Sequence, residues 1–477
     1  MKKNFKPTPT NSSVKETMKS ALKYIVATAA IVGSMTGLNA QSTYSGYFLD
    51  NYSYRYQMNP AIGNDDEFIS MPALGDLNIA LRGSLNLSSV IYNRDGRTVL
   101  FTNPLVSAEE VMNNIHDKNV LGTDIKINVL SAGFKAFGGY NTISVNAVAN
   151  VNAAIPGSLI SLAKEGISNS TYDITDLSAK AMGYGEIAIG HSHDIGAVPG
   201  LRIGVNAKFL IGVANLEAYF NKANLTLGED AWHATTNADI YANVGGFEYE
   251  HDYDAETGRE YVSGANLDGN GSIGPNGYGV AFDLGATYAW RDFTFSAAVL
   301  DLGFINFKDT RKASTCGDRT LNTDAYIFNA DDDAANSFEN EWDRFSANLD
   351  ELYQLSDMGL DGSRKRSLNA TINLGVDFAL PTYRKLHFGL LSTTRLAGKY
   401  TWTEARLSAN FAPGKCFSMN ANVAAGTYGF GFGWMLNLHT KGFNMFLGMD
   451  RTLGEVSKQF VPMNSNASVN FGINFPF

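Results

Sequence analysis

From residue 77 to the end of the chain the dominant signal is strict alternation of apolar and polar or small positions. Tyr278, Val280, Phe282, Leu284, Ala286, Tyr288 and Trp290 interleave with Gly279, Ala281, Asp283, Gly285, Thr287, Ala289 and Arg291. Leu368, Ala370, Ile372, Leu374, Val376, Phe378 and Leu380 run against Asn369, Thr371, Asn373, Gly375, Asp377 and Ala379, and Tyr428–Leu438 and Leu201–Val213 repeat the pattern. Successive side chains of a strand point to opposite faces, so each segment has one wholly apolar face. Their lengths are near the roughly 9–11 residues a tilted strand needs to cross a bilayer.

Read this way, the chain predicts about fourteen strands, near 77–89, 125–136, 143–155, 184–191, 201–213, 278–290, 293–300, 368–380, 386–394, 403–411, 416–424, 428–438, 443–449 and 469–477. Every even-numbered connection is short: 137–142, 192–200, 291–292, 381–385, 412–415 and 439–442. The long ones, 90–124, 156–183, 214–277, 301–367 and 450–468, are all odd-numbered, although two odd connections, 395–402 and 425–427, are also brief. Outer-membrane barrels sort their loops in this manner, with short periplasmic turns and long external loops, whereas a soluble sandwich has no reason to. The expected fold is therefore all-β, a transmembrane antiparallel barrel over residues 77–477 with large extracellular loops at 214–277 and 301–367.

Both chain ends point to the same compartment. Residues 1–23 carry six lysines against Glu16 and precede the apolar run Tyr24–Leu38, which ends at Leu38-Asn39-Ala40 before Gln41. This is the layout of a secretory signal peptide over residues 1–40, cut between Ala40 and Gln41, and the run is too short for a spanning helix. At the other end Val469, Phe471, Ile473, Phe475 and Phe477 alternate with Asn470, Gly472, Asn474 and Pro476. That ending resembles the C-terminal signal read by the barrel-assembly machinery, which makes this machinery and outer-membrane lipid the expected partners. Aromatic residues flank the short turns, as Tyr288, Trp290, Phe293 and Phe295 do around Arg291-Asp292, in the way of an interface girdle.

Composition agrees and adds a distribution of charge. Charged residues make up 18% of the chain, below the roughly 25% of soluble domains, and Gly is abundant at 47 residues. The formal net charge of −10 has its acidic part in two connections, residues 214–277 with 11 acids and 2 bases and residues 300–367 with 14 acids and 8 bases, offset by the six lysines and one acid of the N-terminal segment. A basic patch for nucleic acid is lacking outside the N-terminal segment. Two cysteines exclude a disulfide scaffold or a multi-cysteine metal centre. Cys316 falls in an outer loop and Cys416 beside an inner turn, so no disulfide is expected between them.

Several segments are not wall. Residues 41–76, with Tyr52, Tyr54, Tyr56 and Met58 before Asn59-Pro60-Ala61, form either a plug inside the lumen or a periplasmic extension. Ser107-Ala-Glu-Glu110 has capping-box spacing and predicts a short helix; another is expected after Pro156. Phe338, Trp342, Phe345, Leu349, Leu352 and Tyr353 recur at helical spacing, as a lid over the mouth or as a helix packed on its own loop. Asn266, Asp268 and Asn270 match the start of a calcium loop, but Gly277 stands where the bidentate Glu belongs, so a flexible loop is the expected reading. His191 and His193, and Asp331–Asp333, read as solvated polar residues rather than metal sites.

Enzyme motifs are missing: there is no nucleophile elbow, P-loop, zinc-protease helix or dinucleotide fingerprint, and no cofactor is expected. The polar face instead offers Arg202, Asn206, Lys208, Asp283, Asn373, Asp377, Glu404 and Arg406 as candidates to line a hydrated lumen. The stretch Tyr47–Phe101 (YFLDNYSYRYQMNPAI…FISMPALGDLNIALRGSLNLSSVIY), Tyr184–Gly190 (YGEIAIG), Gly204–Gly212 (GVNAKFLIG) and Gly279–Tyr288 (GVAFDLGATY) resemble a family of Bacteroidota outer-membrane barrels catalogued as a domain of unknown function. At fold level that family is similar to the FadL and PorV group, in which a fourteen-stranded barrel carries an N-terminal hatch. The resemblance implies membership and names no activity. Two functions stay open: a gated channel for a hydrophobic or small polar solute, and a non-transporting surface barrel that docks a secretion or adhesion partner through its acidic loops.

Overall fold

The computed structural model describes residues 44–85, 89–166, 170–228, 231–254, 258–267, 274–327, 336–414, 416–451 and 466–477. Ala40, Gln41, Asp268, Asn270 and Asp331–Asp333 lie outside them. The alternating segments pair with their sequence neighbours into a closed antiparallel ring of fourteen strands. These are β1 Leu77–Gly83, β2 Lys118–Ala136, β3 Gly139–Pro156, β4 Ser178–Asp194, β5 Leu201–Leu227, β6 Gly277–Trp290 and β7 Phe293–Phe307, followed by β8 Thr371–Ala379, β9 Leu386–Arg395, β10 Trp402–Gly414, β11 Phe417–Gly426, β12 Gly429–Thr440, β13 Phe443–Met449 and β14 Ala467–Pro476. The ring closes where β14 meets β1, with Leu77 opposite Phe471 and Leu81 opposite Ala467. Closure leaves no wall strand with an open edge, where unpaired backbone groups would invite pairing with another chain.

The apolar face of each strand points outward. Leu374 is 54% exposed while its neighbour Asn373 is 0% exposed, and Phe282 and Leu284 are exposed on either side of buried Asp283. Tyr288, Trp290, Phe293 and Phe295 are exposed at the turn end of β6 and β7. Val469 and Phe475 of β14 face outward, with Asn470 and Asn474 buried inside. No helix among the described residues is long and apolar enough to cross a membrane.

The structure departs from the predicted strand limits at several strands, with β2 and β4 beginning earlier, at Lys118 and Ser178, and β7 running on to Phe307; two further departures bear on the lumen. The first wall strand ends at Gly83 rather than at residue 89, and its lower part is supplied by Phe68–Ser70, which pairs with both β14 and β2. Met71–Asp76 step out of the ladder between these pieces, yet Met71 N–H donates to Ile473 O at 3.0 Å and Ala73 N–H to Val129 O at 2.9 Å. Second, β5 continues 14 residues beyond Val213 to Leu227, and its extension pairs with Trp232–Val244. The cause is a bulge: opposite Gly183 and Tyr184 the register jumps from Ala214 to Gly212, leaving Val213 as the extra residue. Even-numbered side chains face inward before it (Asn206, Lys208, Leu210) and odd-numbered ones after it (Asn215, Glu217), so the alternation changes phase in mid-strand.

Within connections 214–277 and 301–367 the described residues are therefore largely sheet rather than loop. Trp232–Val244 pairs in turn with Arg311–Ser314 and Arg319–Asn322, and Ser356–Leu360 pairs with the former. The helix Phe338–Glu351 packs on its own loop: Asn348 donates to the Tyr326 hydroxyl at 2.7 Å and Arg344 to Ala325 O at 2.9 Å. Ser107 caps the helix Ala108–Met112 by accepting from Glu110 N–H, as its spacing predicts, and a second helix spans Gly157–Glu165. Asn266 lies opposite Glu248 in the hairpin Phe247–Tyr253/Glu260–Leu267. Cys316 and Cys416 are both free and exposed, in the outer sheet and beside a short turn respectively.

Candidate functional site

Inside the ring the lumen contains the N-terminal segment from Tyr44 to Glu67. It has no periodicity and only two short helical turns, Tyr44–Gly46 and Arg55–Gln57. Tyr47, Leu49, Tyr52, Tyr54, Tyr56 and Met58 are buried and pack on the inward residues Leu391, Trp402, Met435 and Phe446. The Tyr52 and Phe446 rings meet edge to face at 4.9 Å, and Tyr54 meets Phe68 at 5.6 Å, geometries that aromatic quadrupoles favour.

An irregular backbone buried inside a barrel needs partners for its peptide groups, and the wall supplies them. Asn373 donates to Met58 O at 2.9 Å, Ser418 to Asp50 O at 2.9 Å and Asn437 to Asn51 O at 3.0 Å. Asn59 reaches the other way, to the carbonyls of Ala286 and Ala297 at 3.3 and 3.4 Å. At Asn59-Pro60-Ala61 the segment touches the wall so closely that a Cβ on Gly204 would stand 2.2 Å from Pro60 O, and one on Gly285 would stand 2.1 Å from Asn59 Oδ1. Glycine is required there for close approach. At the start of the segment the Asp450 carboxylate accepts from Tyr44 N–H at 3.0 Å, Ser45 N–H at 2.7 Å and Ser45 Oγ–H at 2.9 Å. Burial drives the Tyr44 phenol up to about 12, against the opposing pull of Arg82 and Arg395, so its hydroxyl stays neutral.

Two cavities lie on opposite sides of this segment, and both are polar. One, of about 370 Å³ toward the short turns, is lined by residues that include Asp50, Arg55, Arg202, Asp377 and His387. The other, of about 40 Å³ toward the long loops, is lined by residues that include Lys126, Glu186, Lys208, Asp301, Thr371 and Arg395. Beside the smaller cavity, Lys208 Nζ stands 2.8 Å from Asp283, 2.6 Å from Asp301 and 3.5 Å from Glu186. Neighbouring clusters join Arg82 and Arg395 to Asp124 at 3.4 and 3.2 Å, and Arg406 and Arg451 to Glu404 at 2.5 and 2.8 Å.

The eight residues proposed from alternation fall into three groups and one single residue. Arg202 and Asp377 line the larger cavity; Lys208 lines the smaller, with Asn206 and Asp283 joined at 3.0 Å beside it; Glu404 and Arg406 form the third cluster, and Asn373 holds Met58. Glu186, Asp301, Arg395, Asp124, Asp450 and Arg451 were not anticipated. Asp301 sits at φ 59° in a bulge, and Arg395, Asp450 and Arg451 sit at strand ends, so period-two reading passes over them. Glu186 faces inward from the Tyr184–Gly190 segment, where small residues on both faces blur the alternation.

His191 Nδ1 meets Asn141 Oδ1 at 2.9 Å and His191 Nε2 meets His193 Nδ1 at 3.1 Å; among the described residues no group of three or more His, Cys, Asp or Glu is placed to hold a metal ion.

No curated protein matches the chain. Similar solved structures include the Ralstonia pickettii toluene transporter TbuX, at 7% identity and a TM-score of 0.43, covering 92% of this chain and 98% of that one. The P. putida toluene transporter TodX follows at 9% identity and a TM-score of 0.38, covering 92% and 95%. A Pseudomonas aeruginosa FadL homologue has 8% identity and a TM-score of 0.34, covering 92% and 98%. Residues 60–450 match the model of the family of unknown function DUF5723, and the chain belongs to that family.

Proposed function

We propose that this protein is an outer-membrane barrel that passes a small polar solute, with residues 44–67 acting as a plug in its lumen. The apolar outer face and the aromatic residues at the turn end support the location. One observation carries the solute class: the cavities on both sides of the N-terminal segment are lined by charged side chains, Asp50, Arg55, Arg202 and Asp377 on one side and Lys126, Glu186, Lys208 and Arg395 on the other. A hydrocarbon entering such a space would displace water from ionised groups and return no hydrogen bond, whereas a polar solute replaces the water it removes.

Liposome swelling with neutral and anionic solutes of rising size tests the reading, using the mature barrel and a variant lacking residues 44–62. The full chain should admit small polar solutes slowly and the deletion variant at least tenfold faster, with heat-modifiable gel mobility showing that both are folded. Absence of flux of any solute through either folded form would end the transport reading. Asp239 of Trp232–Val244 and Glu248, Glu250 and Asp252 of the hairpin that follows it stand on ordered strands, which supports a second reading as a docking surface for a cationic partner.

A further inference from the structure

The smaller cavity carries a more specific assignment. Thr371 and Arg395 stand directly opposite each other on β8 and β9, and both side chains line it. Thr371 is 1% and Arg395 5% exposed. Among the described residues, Thr371 Oγ1 and Arg395 Nη1 have no hydrogen-bond partner, although the other arm of the same guanidinium holds Asp124 at 3.2 Å. Buried polar groups are almost always partnered, so two unspent donors side by side on one wall mark the place of an acceptor. A third donor faces the same space: Lys126 Nζ reaches Glu186 at 3.5 Å, a contact too long for a good hydrogen bond.

The acids around the cavity are already engaged. Asp124 accepts from Asn150 at 2.8 Å and pairs with Arg82 and Arg395; Glu186 accepts from Asn146 at 2.8 Å and pairs with Lys126 and Lys208; Asp283 and Asp301 share Lys208. Four cations and four acids therefore balance, and the capacity that remains is donor capacity. One turn of wall nearer the mouth, Arg364 and Arg366 both pair with Glu217, and Lys180 lies across the strands from that same Glu217, which leaves three cations around one acid. This excess favours an anion over a neutral acceptor. The volume agrees: about 40 Å³ accepts roughly three water-sized groups, the heavy-atom count of a carboxylate.

We infer that the cavity between Thr371, Arg395 and Lys126 binds the carboxylate of an anionic solute. The assignment deepens the transport reading and rests on it for its biological meaning. Thr371 Oγ–H and Arg395 Nη1–H each donate to one carboxylate oxygen, and Lys126 supplies the third donor. Isothermal titration of the full detergent-solubilised barrel with sodium acetate, against sodium chloride at equal ionic strength, reads the site directly. Wild type should bind acetate saturably and chloride not at all. Thr371→Val, which keeps shape and removes only the hydroxyl, and Arg395→Gln should each weaken acetate at least tenfold. If Arg395→Gln loses heat-modifiable mobility, Thr371→Val decides. No saturable acetate binding by wild type, or unchanged binding by Thr371→Val, overturns the inference. Acetate binding without solute flux into liposomes would leave the site standing and remove the transport reading; flux without acetate binding would do the reverse.

Discussion

The two halves of the lumen share the same wall strands but are filled by different chemistry. Toward the short turns, beside the charged cavity of about 370 Å³, the space is packed by Tyr47, Leu49, Tyr52, Tyr54 and Met58, held by neutral donors such as Asn373, Asn437 and Ser418. Toward the long loops it is crossed by ion pairs around Lys208, Asp124 and Glu404. Packing makes a barrier because it closes the path, and charge makes a filter because it fixes what may enter the space that remains. The barrier is thus the packed N-terminal segment itself, and the charged groups on either side of it set the selectivity.

Perturbations of the barrier should have the largest effects, and removal of residues 44–62 heads them. Gly204→Leu comes next: its Cβ alone would stand 2.2 Å from Pro60 O, so the side chain must push Asn59-Pro60-Ala61 off the wall. The expected outcome is a several-fold rise in single-channel open probability in planar bilayers with the barrel intact. Asp450→Ala should follow, because one carboxylate receives three hydrogen bonds from Tyr44 and Ser45. Faster cleavage of the segment by an added protease, with strand-protected fragments unchanged, is its readout. Asn373→Ala removes the bond to Met58 O and the one Asn373 accepts from Thr393 Oγ–H, and should cost about 2 kcal/mol of stability, measured as a lower unfolding midpoint in urea, with a small rise in leak. The smallest effect belongs to the acidic outer sheet. Neutralising Glu248, Glu250 and Asp252 should slow association with a cationic peptide at low salt and have little effect near 0.15 M, where the screening length is roughly 8 Å.

The wall was legible because an apolar outer face and a polar inner one impose a period of two. Leu374 and Asn373 can be assigned to opposite faces from spacing alone, and so can Phe282 and Asp283. Legibility failed where the backbone changes phase. Val213 shifts β5 by one residue and hides its extension, and Asp301 enters the lumen from a left-handed conformation that no spacing rule marks. The N-terminal segment was visible as aromatic and non-periodic, but its seat was not. That seat depends on pairs far apart in sequence, Gly204 with Pro60 and Asp450 with Ser45, which become neighbours only when the ring closes. Arg395 and Thr371 were individually unremarkable strand-end residues, and the site they make is a product of register.

The central claim, that the N-terminal segment must shift for solute to pass, is open to a reversible test. A Cβ on Gly389 would lie 2.2 Å from Phe48 Cδ2, which brings cysteines at the two positions within about 5 Å at Cβ, near disulfide range. With Cys316→Ser and Cys416→Ser as background, Phe48→Cys/Gly389→Cys ties the segment to β9 when oxidised and releases it when reduced. Liposome swelling with a small polar solute should then fall at least tenfold on oxidation and return with reductant. Equal flux in the oxidised and reduced barrels would contradict the account.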